Sequence, residues 1–239
     1  MMPATGNKNI PICIKSVSIR LRPGGLSFFC EDAKGPFEQT VFFQDNDLSA
    51  HNVEKALNRF PQVNAGQISV YVDTPDVLFV PEQVLKTEKP DSLLQQAAIA
   101  IPAHHHIIVS DPENDICALF TLHEDIVRIF AAYGRGKAEI HWYSPVSELL
   151  TAYRSAGIRA ESYALYPTQD NIYITKFDCN SQMSLCEVYP CKTEADVIYI
   201  MSELMWISDS AETKIYVYGD RPVRYTKVLK KYYPHTKTI

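Results

Sequence analysis

The sequence predicts a two-domain α/β protein in which each domain is a mixed sheet with flanking helices and the two are related by internal duplication. Three observations predict it. The order strand, strand, strand, helix, strand is written twice, about 145 positions apart. The strand runs are rich in β-branched and aromatic residues between Pro, Gly and Asp turns, whereas the helical runs repeat apolar residues every three to four positions. At roughly 150 residues per domain, 239 residues allow one large or two small domains.

The first copy opens with Val17–Leu21 and Leu26–Cys30 around the turn Arg22-Pro23-Gly24-Gly25, a β-hairpin. A loop with Gly35-Pro36 leads to a third strand, Thr40–Gln44. Ser49 caps a helix from Ala50 to Phe60, with Val53, Ala56, Leu57 and Phe60 on one face and Pro61 as its stop. The strand Gln67–Asp73 closes the copy. In the second copy the strands are Ser162–Tyr166, Asn171–Phe177 and Met183–Tyr189. A helix capped by Thr193 carries Val197, Ile200, Met201, Leu204 and Ile207 on one face, and the strand Lys214–Tyr218 follows it. Adding 145 to the first copy places the elements on their counterparts without a gap, with Tyr71-Val72 falling on Tyr216-Val217. A period this long means duplicated domains rather than a solenoid.

Between the copies lies an insertion at about 75–121, with strands at Val77–Pro81, His106–Ser110 and Ile116–Thr121 and short helices, one of them Ser92–Ala100. Thr121-x-x-Glu124 reads as a capping box for a helix to Tyr133, ended by Gly134-Arg135-Gly136. The strand Glu139–Tyr143 follows, and Ser144-Pro145 opens a helix to Ala156 that Gly157 closes. The domains are therefore expected at residues 12–157 and 158–239.

Composition narrows the class further. A net charge of -5, 46% hydrophobic and 21% charged residues lie near globular averages, which excludes disordered, collagenous and coiled-coil chains. No apolar run approaches the roughly 18 residues of a membrane helix, and Met1–Ile12 lacks the apolar core of a signal peptide, so a soluble, cytoplasmic protein is expected. Six cysteines (Cys13, Cys30, Cys117, Cys179, Cys186, Cys191) form no C-x-x-C pair. They read as small hydrophobes in a reducing compartment.

The chain resembles a bacterial family of uncharacterised proteins with an actin-like ATPase (ribonuclease H-like) fold, similar in outline to actin-like pilus-assembly proteins. The resemblance rests on Ser18–Leu21, Val77–Glu82 and Cys191–Tyr199 and on the order of elements. It implies two actin-like domains. In that superfamily the phosphates of ATP are held by two hairpin turns, one per domain, each with an Asp-x-Gly signature, and a glycine-rich turn contacts the adenosine. Backbone N–H groups must then face the phosphates and carboxylates must hold hydrated magnesium.

This sequence departs from that pattern in both turns. The first, with Arg22, Pro23, Gly24 and Gly25, has no acid, and Pro23 lacks a donor N–H. The second, with Gln169, Asp170 and Asn171, has one acid and no glycine. Only Gly219 stands at the adenosine turn. These residues are the candidate cleft and anion-binding positions, with no catalytic residue, no metal ligand and no cofactor expected.

Two other constellations carry chemistry-bearing residues. His104-His105-His106, near Asp111, Glu113 and His123, cannot converge on one ion from an extended segment and reads as a polar lead-in to a strand. Residues 220–239 carry six cations against Asp220. Arg221, Arg224, Lys227 and Lys231 recur at helical spacing opposite Tyr225, Val228, Leu229 and Tyr232, a basic amphipathic helix whose solvated face is the preferred reading over RNA or acidic-lipid binding. The expected function is a non-catalytic interaction or scaffold protein with a protein partner. The alternative is an ATP-binding enzyme of the sugar-kinase and ATPase superfamily with atypical phosphate loops.

Overall fold

The computed structural model describes residues 16–32, 35–43, 47–60, 65–134, 137–204 and 212–239. Met1–Ile12, Cys13, Gln44, Pro61, Arg135, Gly136 and Ile207 lie outside the described residues. In chain order, β1 (Ser16–Arg22), β2 (Gly25–Asp32), β3 (Gly35–Phe42), α1 (Ala50–Leu57) and β4 (Gln67–Val72) make the first copy. The insertion contributes β5 (Val77–Pro81), a 3₁₀ turn at Val84–Lys86, α2 (Pro90–Gln96), β6 (His105–Val109) and β7 (Ile116–His123). Then come α3 (Glu124–Tyr133), β8 (Glu139–Tyr143) and α4 (Pro145–Ser155). The second copy is β9 (Ser162–Pro167), β10 (Asn171–Phe177), β11 (Met183–Pro190), α5 (Glu194–Leu204) and β12 (Ile215–Val217), followed by α6 (Pro222–Leu229) and β13 (Thr236–Thr238).

The strands form two five-stranded sheets, β3-β2-β1-β4-β8 and β11-β10-β9-β12-β13, and a three-stranded sheet β5-β7-β6. In each large sheet an antiparallel meander is joined by a parallel strand that returns after a helix. The chain gathers into two compact units. The first holds the described residues up to Val72 with Ile101–Ile108 and Thr121–Trp142, and the second holds Asp73–Ala100, Val109–Phe120 and Tyr143–Ile239.

In the first unit the period-2 alternation predicted from the sequence appears as alternating burial along β1, where Val17, Ile19 and Leu21 are buried. Their β2 partners Cys30, Phe28 and Leu26 share that face. Ser49 Oγ accepts from Asn52 N at 3.4 Å and starts α1, whose buried residues are Val53, Ala56 and Leu57. The helix ends at Leu57 rather than Phe60. Phe60 still reaches the core and stacks on Phe28 at 4.9 Å. β3 begins at Gly35, five residues before the expected start, because it is the sheet's edge strand and Pro36 there removes no ladder bond toward a further neighbour.

The capping box at Thr121 is not formed. β7 continues through Thr121 to His123, and His123 caps α3 instead, its Nδ1 accepting from Asp125 N at 3.2 Å. Strand pairing claimed the segment before capping could, and Glu124 becomes the first helical residue, where its charge suits the helix N-terminus.

The second unit differs in that both faces of its sheet are covered, so β9 is buried throughout and β10 nearly so. Leu165, Ile172, Ile174, Ile215 and Val217 pack with Val197 and Met201 of α5 and with Tyr225 and Leu229 of α6. On the opposite face Ala164, Tyr166, Tyr173 and Phe177 pack with Val146, Leu149, Leu150 and Tyr153 of α4. Ser144 Oγ accepts from Val146 N at 3.4 Å and Pro145 occupies the first helical position, as the Ser-Pro pair predicts. Thr193 and Asp196 cap α5 reciprocally: Asp196 accepts from Thr193 N at 2.8 Å, and Thr193 Oγ1 accepts from Asp196 N at 3.3 Å.

Strand register corrects the spacing of the repeat. The pair Ile19 and Phe28 answers to Leu165 and Ile174, 146 positions on in each strand. Leu26 with Val41 answers to Ile172 with Tyr189, so the third strand lies 148 positions on. Ile19 with Val70 answers to Leu165 with Val217, 147 positions on for the parallel strand. The repeat therefore carries small insertions, and the β10–β11 ladder slips in register between Lys176 and Phe177. The two identical Tyr-Val dipeptides do not occupy equivalent places.

Candidate functional site

The first hairpin turn is built by the pairing of Arg22 with Gly25, which leaves Pro23 and Gly24 at the tip. A Cβ on Gly25 would lie 2.6 Å from the Val41 carbonyl oxygen and 3.2 Å from Phe42 Cα, so the bare backbone here is demanded by the close approach of β3. The Gly24 carbonyl accepts from Phe43 N at 3.0 Å. Arg22 Nη2 donates to Ser27 Oγ at 2.8 Å, and Ser27 Oγ bonds Thr40 Oγ1 at 2.9 Å, which draws the guanidinium back along its own sheet.

The second turn is closed on itself. Thr168 N donates to the Asn171 carbonyl at 2.8 Å, Asn171 N donates to Thr168 Oγ1 at 3.1 Å, and the Asp170 carbonyl accepts from Cys191 N at 2.8 Å. Gln169 is exposed at the tip. Asn171 is 3% exposed and faces inward, its Nδ2 donating to Asp73 Oδ1 at 2.9 Å. Tyr173, fully buried, donates its hydroxyl to the same Asp73 oxygen at 2.8 Å and accepts from Thr74 N at 3.1 Å. Burial, then the neighbouring Asp73 carboxyl, push the Tyr173 phenol well above its ordinary pKa, so it stays a donor.

Gly219 lies beside this hairpin. Tyr218 N donates to the Leu165 carbonyl at 2.9 Å and Asp220 N to the Pro167 carbonyl at 3.1 Å. Gly219 has φ +99°, and a Cβ there would meet the Tyr166 ring at 2.7 Å. That ring is buried, its hydroxyl donating to Glu148 Oε2 at 2.6 Å and its edge packed on Tyr218. The structure thus brings Gln169, Asp170, Asn171 and Gly219 together in the second unit, while Arg22, Gly24 and Gly25 form a turn of the first.

The basic residues are dispersed in role. Arg221, with φ +51°, precedes Pro222 at the start of α6. Arg224 pairs with Glu194, holding that carboxyl below its ordinary range. Lys227 is exposed on α6, and Lys231 lies beyond its end. Tyr225 and Leu229 are buried as the spacing predicts, but Tyr232 is 55% exposed and Tyr233 fills the core place.

His104, His105 and His123 gather at the start of α3, with the His105 and His123 rings 5.3 Å apart. Among the described residues no group of three or more His, Cys, Asp or Glu side chains is arranged to hold a metal ion.

Burial pushes the Cys186 thiol up to about 12 and the Cys191 thiol up to about 11, and raises Cys117 as well. At pH 8 a thiol with a pKa of about 11 is ionised to only about one part in a thousand. Native protein is therefore expected to react with a thiol reagent at the exposed Cys179, with Cys117, Cys186 and Cys191 reacting only on denaturation. Mass mapping of the labelled peptides checks this, and rapid native labelling at Cys191 would contradict it.

Asp73 was not singled out by sequence reasoning. It is one acid after an apolar strand, and its partners stand 98 and 100 positions away. The sequence signal that could have raised it is an acid placed directly after the buried alternation of Ile68, Val70 and Val72.

A protein from Bacteroides thetaiotaomicron with an actin-like ATPase fold and unknown function is similar in structure over 100% of this chain and 94% of its own, at 17% identity and a TM-score of 0.73. The PilM–PilN type IV pilus biogenesis complex is similar over 94% of this chain and 88% of that chain, at 9% identity and a TM-score of 0.60. The ethanolamine utilization protein EutJ from Carboxydothermus hydrogenoformans is similar over 97% and 86%, at 9% identity and a TM-score of 0.51. At these identities the likeness is one of fold, and the fold is the actin-like ATPase fold. The comparison with curated proteins finds no match. No helix among the described residues is long and apolar enough to cross a membrane. A family model described as protein of unknown function (DUF3822) matches residues 10–236, and the chain belongs to that family.

Proposed function

We propose that the chain is a non-catalytic interaction protein, a scaffold that keeps the frame of two actin-like modules, residues 12–157 and 158–239, without the phosphate chemistry, and that its partner is a protein. The observation that carries this reading is the fate of the glycines and turn amides an ATPase would aim at phosphate. Gly25 is used against Val41, Gly219 against Tyr166, and the Thr168 and Asn171 amides bond across their own turn. With no acid in Arg22–Gly25, the first turn offers nothing to hold magnesium. The PilM chain of similar fold belongs to a complex with another protein, PilN, which supports a partner of that class.

Isothermal titration with ATP and Mg²⁺ tests it. The expected result is no saturable heat up to about 1 mM nucleotide, weaker than about -4 kcal/mol. A micromolar dissociation constant would overturn the reading in favour of an ATP-binding protein with unusual loops.

A further inference from the structure

The end of β3 and the helix that follows it enclose a groove of about 240 Å³, lined by Val41–Phe43 on one side and Asn52, Lys55, Ala56 and Arg59 on the other. We propose that this groove docks an extended acidic peptide segment of a partner protein, laid along the open edge of β3. This rests on the interaction reading above and names the surface it uses.

Three observations on the first unit carry it. First, β3 ends its sheet: among the described residues no strand pairs with its outer side, so beyond Pro36 a row of main-chain donors and acceptors from Phe37 to Phe42 is open to strand addition. Edge strands are usually blunted by charged side chains or proline, and β3 has these only in its first half, at Pro36 and Glu38; toward the groove, from Gln39 to Phe42, it carries neither and exposes Phe42 at 70%. Second, the groove is asymmetric in charge. Its lining has two cations and no acid, and Glu54, next to Lys55 in sequence, is not part of it. Lys55 and Arg59 lie one helical turn apart, are both exposed, and among the described residues neither carries an ion pair, in a chain whose net charge is -5. Third, apart from the two cations and the half-buried Asn52 the lining is apolar, with Val41, Phe43 and Ala56 buried. A ligand matched to all three has a main chain that can pair as a strand, acids spaced to reach Lys55 and Arg59, and small apolar residues between them. An alternating acidic and apolar peptide meets those demands, since successive side chains of a strand point to opposite faces.

The probe is a fluorescein-labelled decapeptide of alternating Glu and Val, titrated with full-length protein and read by anisotropy. The expected result is saturable binding that weakens as salt rises. The matching Lys-Val peptide is expected not to bind. A Glu-Val peptide N-methylated at alternate residues, which keeps every charge but loses strand donors, is expected to bind at least about tenfold more weakly. The Lys55→Glu, Arg59→Glu double variant, changed only at exposed positions and confirmed folded by circular dichroism, is expected to lose at least about tenfold in affinity. Absent binding of the Glu-Val peptide, equal binding of the Lys-Val peptide, or affinity untouched by the charge reversals would overturn the proposal. Self-association in sedimentation equilibrium that the same reversals abolish would overturn it in favour of a second copy as the occupant. The nucleotide titration decides the scaffold reading separately, so the two can fail independently.

Discussion

Replacing Asp73 with leucine is expected to lower the unfolding free energy by about 2–4 kcal/mol, because Asn171 Nδ2 loses its acceptor, at about 1–3 kcal/mol for an unsatisfied group, and the Tyr173 hydroxyl loses its shorter bond and keeps only the Thr74 carbonyl, at about 1 kcal/mol. The donors are Asn171 Nδ2 at 2.9 Å and the Tyr173 hydroxyl at 2.8 Å, on residues 3% and 0% exposed where water cannot take the acceptor's place. Leucine fills the volume of the lost carboxyl without offering a lone pair, so the loss measures hydrogen bonding rather than a cavity. Tyr173→Phe leaves Asp73 with Asn171 but also takes from Thr74 N its hydroxyl acceptor, for an expected cost of about 1–3 kcal/mol. Because Asp73 and Tyr173 share one bond, their effects should be non-additive: in Asp73→Leu protein the Tyr173→Phe change should cost less than in the parent protein, since the bond to Asp73 is already gone and only the hydroxyl's bonds with Thr74 remain to be lost. Urea unfolding of the four proteins in the cycle reads this directly. Additive losses would mean that the Asp73 carboxyl is held elsewhere and that the network carries no coupling.

That network also marks the limit of what the sequence discloses. Strands and helices came from periodicity, which is local. β5 and β8 run as expected at Val77–Pro81 and Glu139–Tyr143, and β10 at Asn171–Phe177, because alternating or apolar runs bounded by turn residues leave little choice. Where two local signals competed, the sequence could not rank them: Thr121 is a sound cap residue and also a sound strand residue, and the ladder of β7 decided for strand. The repeat was legible as an order of elements, yet its spacing was not, since an offset of 145 and the observed 146 to 148 differ by less than the uncertainty of any strand end. In the candidate site, the lack of paired acids was readable at Arg22–Gly25 and Gln169–Asn171. What fills their place was not, because Val41 over Gly25 and Tyr166 over Gly219 are contacts across strands whose register only the folded chain fixes.

Gly219→Ala turns that last contact into a test of why the glycine is there. The change is expected to destabilise the ligand-free protein by about 2–5 kcal/mol, from two sources: about 1–2 kcal/mol for placing a Cβ on backbone with positive φ, and about 1–3 kcal/mol for overpacking against a buried ring. The φ of +99° fixes the first and the 2.7 Å approach to Tyr166 fixes the second. The two separate in a second variant. In Tyr166→Ala protein the ring is gone, so adding Gly219→Ala should cost only the backbone part, and chemical denaturation should show the pair to be less than additive by the overpacking share. A glycine kept so that a ligand can approach its backbone behaves differently: its substitution would leave the ligand-free stability nearly unchanged and would act only on binding. Tyr166 already occupies the space above Gly219 and is held there by Glu148 at 2.6 Å, so the cost belongs to the folded chain itself. If Gly219→Ala leaves the urea midpoint unmoved, the ring is not where the packing argument needs it, and the glycine regains its meaning as an open approach for nucleotide.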